Sequence, residues 1–192
     1  KLSGDQMLAI AWDLACQRWQ EFGQQPDEIS TEAPPQLESV SLHLSKFLSL
    51  SMGNDRSQGK GNAMQVTQQF EFSAAHRLHC DNLSEDDNRK LFGKCNNLNG
   101  HGHNYVVQVS VRGTDGNVDL LDLERVVKTL VIDRLDHKHL NQDIEYFAAV
   151  NPSVENIASA VFDWLLGQFK SAVLEKVRVY ETPKTWAERS VS

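Results

Sequence analysis

Apolar and polar positions alternate most cleanly in two stretches of this chain. From Gln65 to Ala74, Val66, Phe70 and Phe72 share one parity; from Tyr105 to Val111, the residues Tyr105, Val107, Val109 and Val111 oppose Asn104, Gln108 and Ser110. A period of two puts alternate side chains on one face, so each stretch reads as a half-buried strand. A third alternation, Leu174 to Thr182, sets Val177 and Val179 against Arg178 and Tyr180. Between them lie two helical periods. Val126, Val127, Leu130 and Val131 form a stripe over Leu123 to Leu135, with Asp122 as its N-cap. Ile157, Ala158, Val161, Leu165 and Phe169 form another over Val154 to Phe169, opened by Asn151-Pro152-Ser153. The order strand, strand, helix, helix, strand lacks βαβ spacing and predicts an α+β fold with an antiparallel sheet. Leu78 to Gly100 is polar, turn-rich and too long for a hairpin, which marks a functional loop.

Ser51 to Asn62 reads as a flexible linker, dividing the chain into an extension (1–50), a connection (51–63) and a main domain (64–192). The extension echoes the end of that domain. Leu8 to Phe22 has helical periodicity and carries Ala11-Trp12-Asp13-Leu14, beside Phe162-Asp163-Trp164-Leu165 later on. Leu37-Glu38-Ser39-Val40-Ser41-Leu42 parallels Leu174-Glu175-Lys176-Val177-Arg178-Val179. Two explanations stand: a degenerate back half of a second copy of the domain, or an unrelated helical extension. Under the first, Leu44 falls where the later copy has Glu181.

Composition narrows the classes. With 192 residues, 40% hydrophobic and 23% charged, the chain suits a globular protein with a real core. A net charge of −7 argues against nucleic acid as partner, and no apolar run reaches membrane-spanning length. There is no signal-peptide pattern. Cys16, Cys80 and Cys95 are irregularly spaced and make no disulfide framework, which predicts a reducing, cytoplasmic setting.

The chemistry gathers around Cys95 to Tyr105. His101 and His103 sit two apart at the start of a strand, so their imidazoles point to one face, and Gly102 leaves that face uncrowded. His76 ends the preceding strand. In an antiparallel pair those ends are adjacent, so three imidazoles can meet, leaving the open fourth position of a catalytic zinc. The competing arrangement is a closed structural site completed by Cys80 or Cys95. Asp136-His137 can form an acid/base relay, which beside Cys95 would favour the thiolate. Glu181 is a carboxylate on a strand that otherwise reads as core, suited to the N–H edge of a guanine-like or pterin ring. Glu155 could be a second acceptor; its alternative role is to complement the N-terminus of its helix.

Taken together, Phe72-Ser73-Ala74-Ala75-His76-Arg77-Leu78, Phe92-Gly93-Lys94-Cys95 through Tyr105, Leu135-Asp136-His137-Lys138, Glu155-Asn156 and Val179-Tyr180-Glu181-Thr182 resemble the 6-pyruvoyl-tetrahydropterin synthase family, of the tunnelling fold or T-fold. The resemblance covers roughly residues 65–190. It implies a four-stranded antiparallel sheet with two helices on one face, closed into barrels in homo-oligomeric trimers or hexamers with sites between subunits. It implies zinc on His76, His101 and His103, Cys95 as base with Asp136 and His137 as its relay, and Glu181 anchoring the pterin with help from Glu155. Arg77, Arg89, Lys90 and Lys94 are candidates for a triphosphate. The implied reaction converts 7,8-dihydroneopterin triphosphate to 6-pyruvoyltetrahydropterin with loss of triphosphate. The five residues between Cys95 and His101 fit that branch. Asn151-Pro152-Ser153 looks more like the alternative, 6-carboxytetrahydropterin synthase of queuosine (7-deazaguanine) biosynthesis. A non-catalytic pterin- or purine-binding T-fold is the third possibility.

Overall fold

The two cleanest alternating stretches pair with each other. In the computed structural model, which describes residues 4–23, 39–45, 47–53, 63–114 and 117–191, β3 (Ala63–His76) and β4 (His101–Gly113) run antiparallel. Their register is unbroken from Gln65↔Arg112 to His76↔His101. β6 (Ala172–Thr182) lies on the other side of β4, and β7 (Thr185–Ser190) folds back on β6. On the far side of β3 stands a second hairpin, β1 (Ser39–Ser45) and β2 (Leu48–Gly53). The path is β1-β2-β3-β4-β6-β7, every neighbour antiparallel, and the two-residue β5 (Lys138–His139), followed by the short α5 (Leu140–Asp143), adds in parallel to β3 at Ala74 and Ala75.

Helices cover one face. The helical run α3 (Leu120–Val127), continued by a wider i→i+5 turn over Lys128–Ile132 and by α4 (Asp133–Leu135), packs with α6 (Val154–Leu165). Leu123, Val127, Val131, Leu135, Ile157, Val161 and Leu165 share one core with Val66, Phe72, Val107, Val109, Val111, Val177 and Val179. Each such side chain taken fully out of water contributes about 1.5–3 kcal/mol, so the alternating parity fixes which sheet face meets the helices. α1 (Gly4–Gly23) packs on β1 and β2, burying Leu8 and Trp12.

The expected antiparallel α+β architecture is present, with more strands than the sequence pattern gave. β7 escapes notice because its pattern is polar: Ala187 is its only partly buried apolar side chain packed on the core. β2 takes up the first three residues of the expected linker; residues 54–62 lie outside the described residues, as do Leu37 and Glu38. The N-cap of α3 is Asp119, whose carboxylate accepts from the N–H of Leu121 and Asp122. Asp122 itself is buried in the first turn, where it pairs with Arg125 at 2.7 Å and accepts from Lys170 N at 3.1 Å. The second helix stops at Leu165 rather than Phe169, and Gly167 follows at φ +73. Inside the long loop, Ser84 caps an exposed helix, α2 (Glu85–Phe92), by accepting from Asp87 N.

Candidate active site

Three ends of the sheet converge on one spot. β3 delivers His76 as its last residue, β4 delivers His101 opposite it and His103 opposite Ala74, and β6 brings Glu181 past the last β4–β6 pair. All four lie on the parity that faces the helices, because they continue the series Phe72, Val107 and Val179. His76 Nε2 is 3.2 Å from His101 Nε2 and 3.3 Å from Glu181 Oε1, and His103 Nε2 is 3.6 Å from the same carboxylate oxygen. Cys95 comes from a 3₁₀ turn (Gly93–Asn96) after α2. Its sulfur, His76 and His101 have ligand atoms within 4.8 Å of one another, as do His76, His103 and Glu181. The donors therefore form two overlapping groups that share His76.

The electrostatics suit a cation. His76 is fully buried, and its Nδ1 lies 2.7 Å from the carbonyl of Pro152. A carbonyl can only accept, so Nδ1 carries the proton and Nε2 turns a lone pair toward the cluster. Burial holds His76 below the usual histidine range; burial and His103 do the same to His101. His101 Nδ1 and His103 Nε2 are buried without a hydrogen-bond partner. Converging imidazoles with unpaired buried nitrogens fit a metal ion. Tyr105 floors the cluster edge-on to His76 and His103, stacks on Phe72 at 4.9 Å, and is kept protonated by burial.

Asp136 and His137 form the expected pair, with Asp136 Oδ2 2.8 Å from His137 Nδ1. Asp136 Oδ1 also accepts from Ser73 N at 2.8 Å, the main reason its carboxyl sits below the usual range. The pair is thus clamped to the outer edge of β3. His137, at φ +58, donates its own N–H to Ser73 O and leaves its ring largely in solvent. A non-glycine residue at such a φ is strained and is held there by its surroundings. Among the described residues no hydrogen bond joins this pair to Cys95. Burial, and secondarily Glu181, push the Cys95 thiol up.

Glu155 is exposed on the first turn of α6, below the Ser153 cap, with no hydrogen bond to the cluster. Of the four basic candidates, Arg77 follows His76 and Lys94 precedes Cys95 in the chain, and the Arg77 guanidinium lies on Asn96 O and His79 Nδ1. It lines a cleft of about 670 Å³ with His79, His139 and Asn141. Arg89 and Lys90 pair with Asp86 and Asp87 on exposed α2.

Several supporting residues carry little sequence signal. Buried Asn88 and Asn96 bind the loop backbone, Asn88 to Cys80 N and O and Asn96 to Leu78 O. The face is uncrowded at Gly102, where a Cβ would meet only Ala74 O at 3.7 Å; the close approach is at Gly100, where φ is +70 and a Cβ would meet His76 O and His139 Nε2 at 2.8 Å. Both ring nitrogens of His139 are buried without a partner.

Comparison with known proteins decides the family. A profile described as 6-pyruvoyl tetrahydropterin synthase matches residues 65–191. The chain belongs to this family. The 6-pyruvoyl tetrahydrobiopterin synthase of Homo sapiens is 45% identical over 129 residues, 65% of this chain and 89% of that one. The solved Caenorhabditis elegans 6-pyruvoyl tetrahydropterin synthase superposes with a TM-score of 0.62 at 41% identity, covering 68% of this chain and 96% of that one. A putative 6-carboxy-5,6,7,8-tetrahydropterin synthase of Archaeoglobus fulgidus is 37% identical over 121 residues, 61% of this chain and 87% of that one. The synthase fold thus accounts for β3 onward and leaves the first helix and hairpin aside.

Proposed function

We propose that this chain is a zinc-dependent lyase that converts 7,8-dihydroneopterin triphosphate to 6-pyruvoyltetrahydropterin with loss of triphosphate. The observation that carries this reading is the convergence of His76, His101, His103, Cys95 and Glu181 at one end of the sheet, in a chain 45% identical to a pyruvoyl-forming synthase. Zinc held by the three imidazoles would supply Lewis acidity toward the substrate's side-chain hydroxyls and a positive charge that favours the Cys95 thiolate. Cys95 moves protons on the side-chain carbons. Taking one from the carbon beside the triphosphate-bearing carbon lets the triphosphate leave with the C–O electron pair. Asp136 holds the Nδ1–H of His137, so the other ring nitrogen takes and returns a proton at a side-chain hydroxyl. The pair projects from the β3 edge, which suits a site shared between subunits of a homo-oligomer. Glu181 accepts the pterin ring N–H groups, with Glu155 assisting. Three free thiols suit a reducing, cytoplasmic setting, and among the described residues no helix is long and apolar enough to cross a membrane.

The carboxy-forming reading keeps the same substrate and ligands and is supported by the Archaeoglobus relative. Both readings need the thiol. Cys95→Ala is expected to lower substrate turnover by about 10²–10⁴-fold with zinc content unchanged. Undiminished turnover would refute the role given to Cys95. Zinc absent from purified protein, together with activity retained in His101→Ala, would refute the metal.

A further inference from the structure

The hairpin β1–β2 repeats β6–β7 at a constant separation of 137 positions. Ser45 pairs with Leu48 across the tip of the first, and Thr182 with Thr185 across the tip of the second. Each register shifts at the same place, between His43 and Ser45 and between Tyr180 and Thr182. The Ser45 hydroxyl accepts from the N–H of Phe47 and Leu48, both at 3.1 Å; the Thr182 hydroxyl accepts from Lys184 and Thr185 at 3.2 and 3.0 Å. The core-facing pair Leu42↔Leu50 corresponds to Val179↔Ala187. A helix packs on each hairpin, α1 on the first and α6 on the second. Bulged register, turn cap and helix packing are separate features of a hairpin, and here all three coincide.

The other face has diverged. Lys176, Arg178, Trp186 and Glu188 form a network in which Arg178 reaches Glu188 at 2.7 Å and lies 4.3 Å over the Trp186 ring. The matching positions are Ser39, Ser41, Ser49 and Ser51, and Leu44 matches Glu181. β2 docks on the edge of β3 from Leu48↔Gln68 to Gly53↔Ala63. A strand edge admits one partner, and β7 has the backbone of the strand already seated there.

We propose that α1 with β1 and β2 is a pseudo-subunit, a degenerate copy of α6–β6–β7 that occupies, within the chain, the β3 edge a second copy's β7 would otherwise take. The displaced register sets Thr185 beside Gln68, Trp186 beside Thr67 and Ala187 beside Val66. With Leu44 for Glu181, the copy supplies the edge contact and not the carboxylate. The partner excluded from residues 63–68 of β3 is the β7 of a second copy, whatever reaction the chain performs; Asp136 and His137 lie at the other end of that strand, at Ser73.

Thiol crosslinking with a short bifunctional reagent tests this, against a background set by the three native cysteines. In the full chain, cysteines at Ser49 and Thr67 are expected to crosslink within one chain, and cysteines at Thr67 and Trp186 to give no crosslinked dimer. Leu50→Asp places a carboxylate at the buried face of the hairpin and is expected to displace it. In that background the Thr67/Trp186 pair should crosslink between chains, and the solution mass should at least double. A Thr67/Trp186 dimer from the intact chain would overturn the proposal, as would a folded Leu50→Asp chain of unchanged mass. Should Leu50→Asp unfold the whole chain, the two crosslinks in the intact chain decide alone.

Discussion

The two helix–hairpin units differ in what each has kept. Both retain the bulge, the hydroxyl-capped turn and an apolar residue facing the helix, as Leu42 and Leu50 do in one and Val179 and Ala187 in the other. Only the C-terminal unit carries Glu181 beside two imidazoles and the Arg178–Glu188–Trp186 network. Backbone form therefore depends on a few apolar and hydroxyl positions, and chemistry on others that can be lost without losing the form. The lesson is that fold and site are encoded on different residues of the same strand.

Four substitutions probe that separation. The largest effect is expected at Leu50, 2% exposed at the centre of the first hairpin; Leu50→Ala should destabilise it by about 2–5 kcal/mol through cavity formation. Hydrogen exchange is the measurement, and β2 amides should lose protection while β6 and β7 amides keep theirs. Equal loss in all strands would mean that the units do not behave separately. Glu181→Leu gives the second hairpin the residue of the first. Removing a charged hydrogen-bond acceptor is worth about 1.5–3 kcal/mol, so kcat/KM should fall about 10–150-fold at unchanged melting temperature. A wild-type kcat/KM would remove Glu181 from the substrate site.

Asp122 ties the entry to β6 through Lys170 N and Arg125, and Arg125 first, then Lys170, hold its carboxyl below the usual range. A folded pKa below the unfolded one stabilises above the ordinary carboxylate range, and the gain is lost as pH falls through the folded value. Asp122→Asn should therefore cost about 1 kcal/mol at neutral pH and nothing in strong acid. Denaturant titrations at two pH values check this, and a deficit persisting in strong acid would contradict it. Leu44→Glu should change neither activity nor stability measurably, because the first unit lacks the three imidazoles; a rise in turnover would show a second working site.

Much of this was legible in the chain because side chains of strong character carried it. The parities of β3 and β4 follow from Val66, Phe72, Val107 and Val109, and that register forces His76, His101 and His103 together. What escaped lacked such a signature. α2 is a charged helix whose cap, Ser84 with Asp87, is hidden in a polar run, and β7 reads as polar because its outward face is Trp186, Glu188 and Ser190. Asp119 and Asp122 are equivalent by eye, and the chain's geometry alone makes Asp119 the cap. The Pro152 carbonyl that fixes the His76 tautomer is backbone and has no letter of its own. Nor could spacing tell that Asp136 would bind Ser73 N and set His137 at the β3 edge.

Identification of the product by mass spectrometry, after the zinc-loaded protein has turned over 7,8-dihydroneopterin triphosphate, tests the central claim most directly. The account predicts 6-pyruvoyltetrahydropterin and free triphosphate, with all side-chain carbons retained on the pterin. 6-Carboxytetrahydropterin with released acetaldehyde, or no conversion, would contradict it.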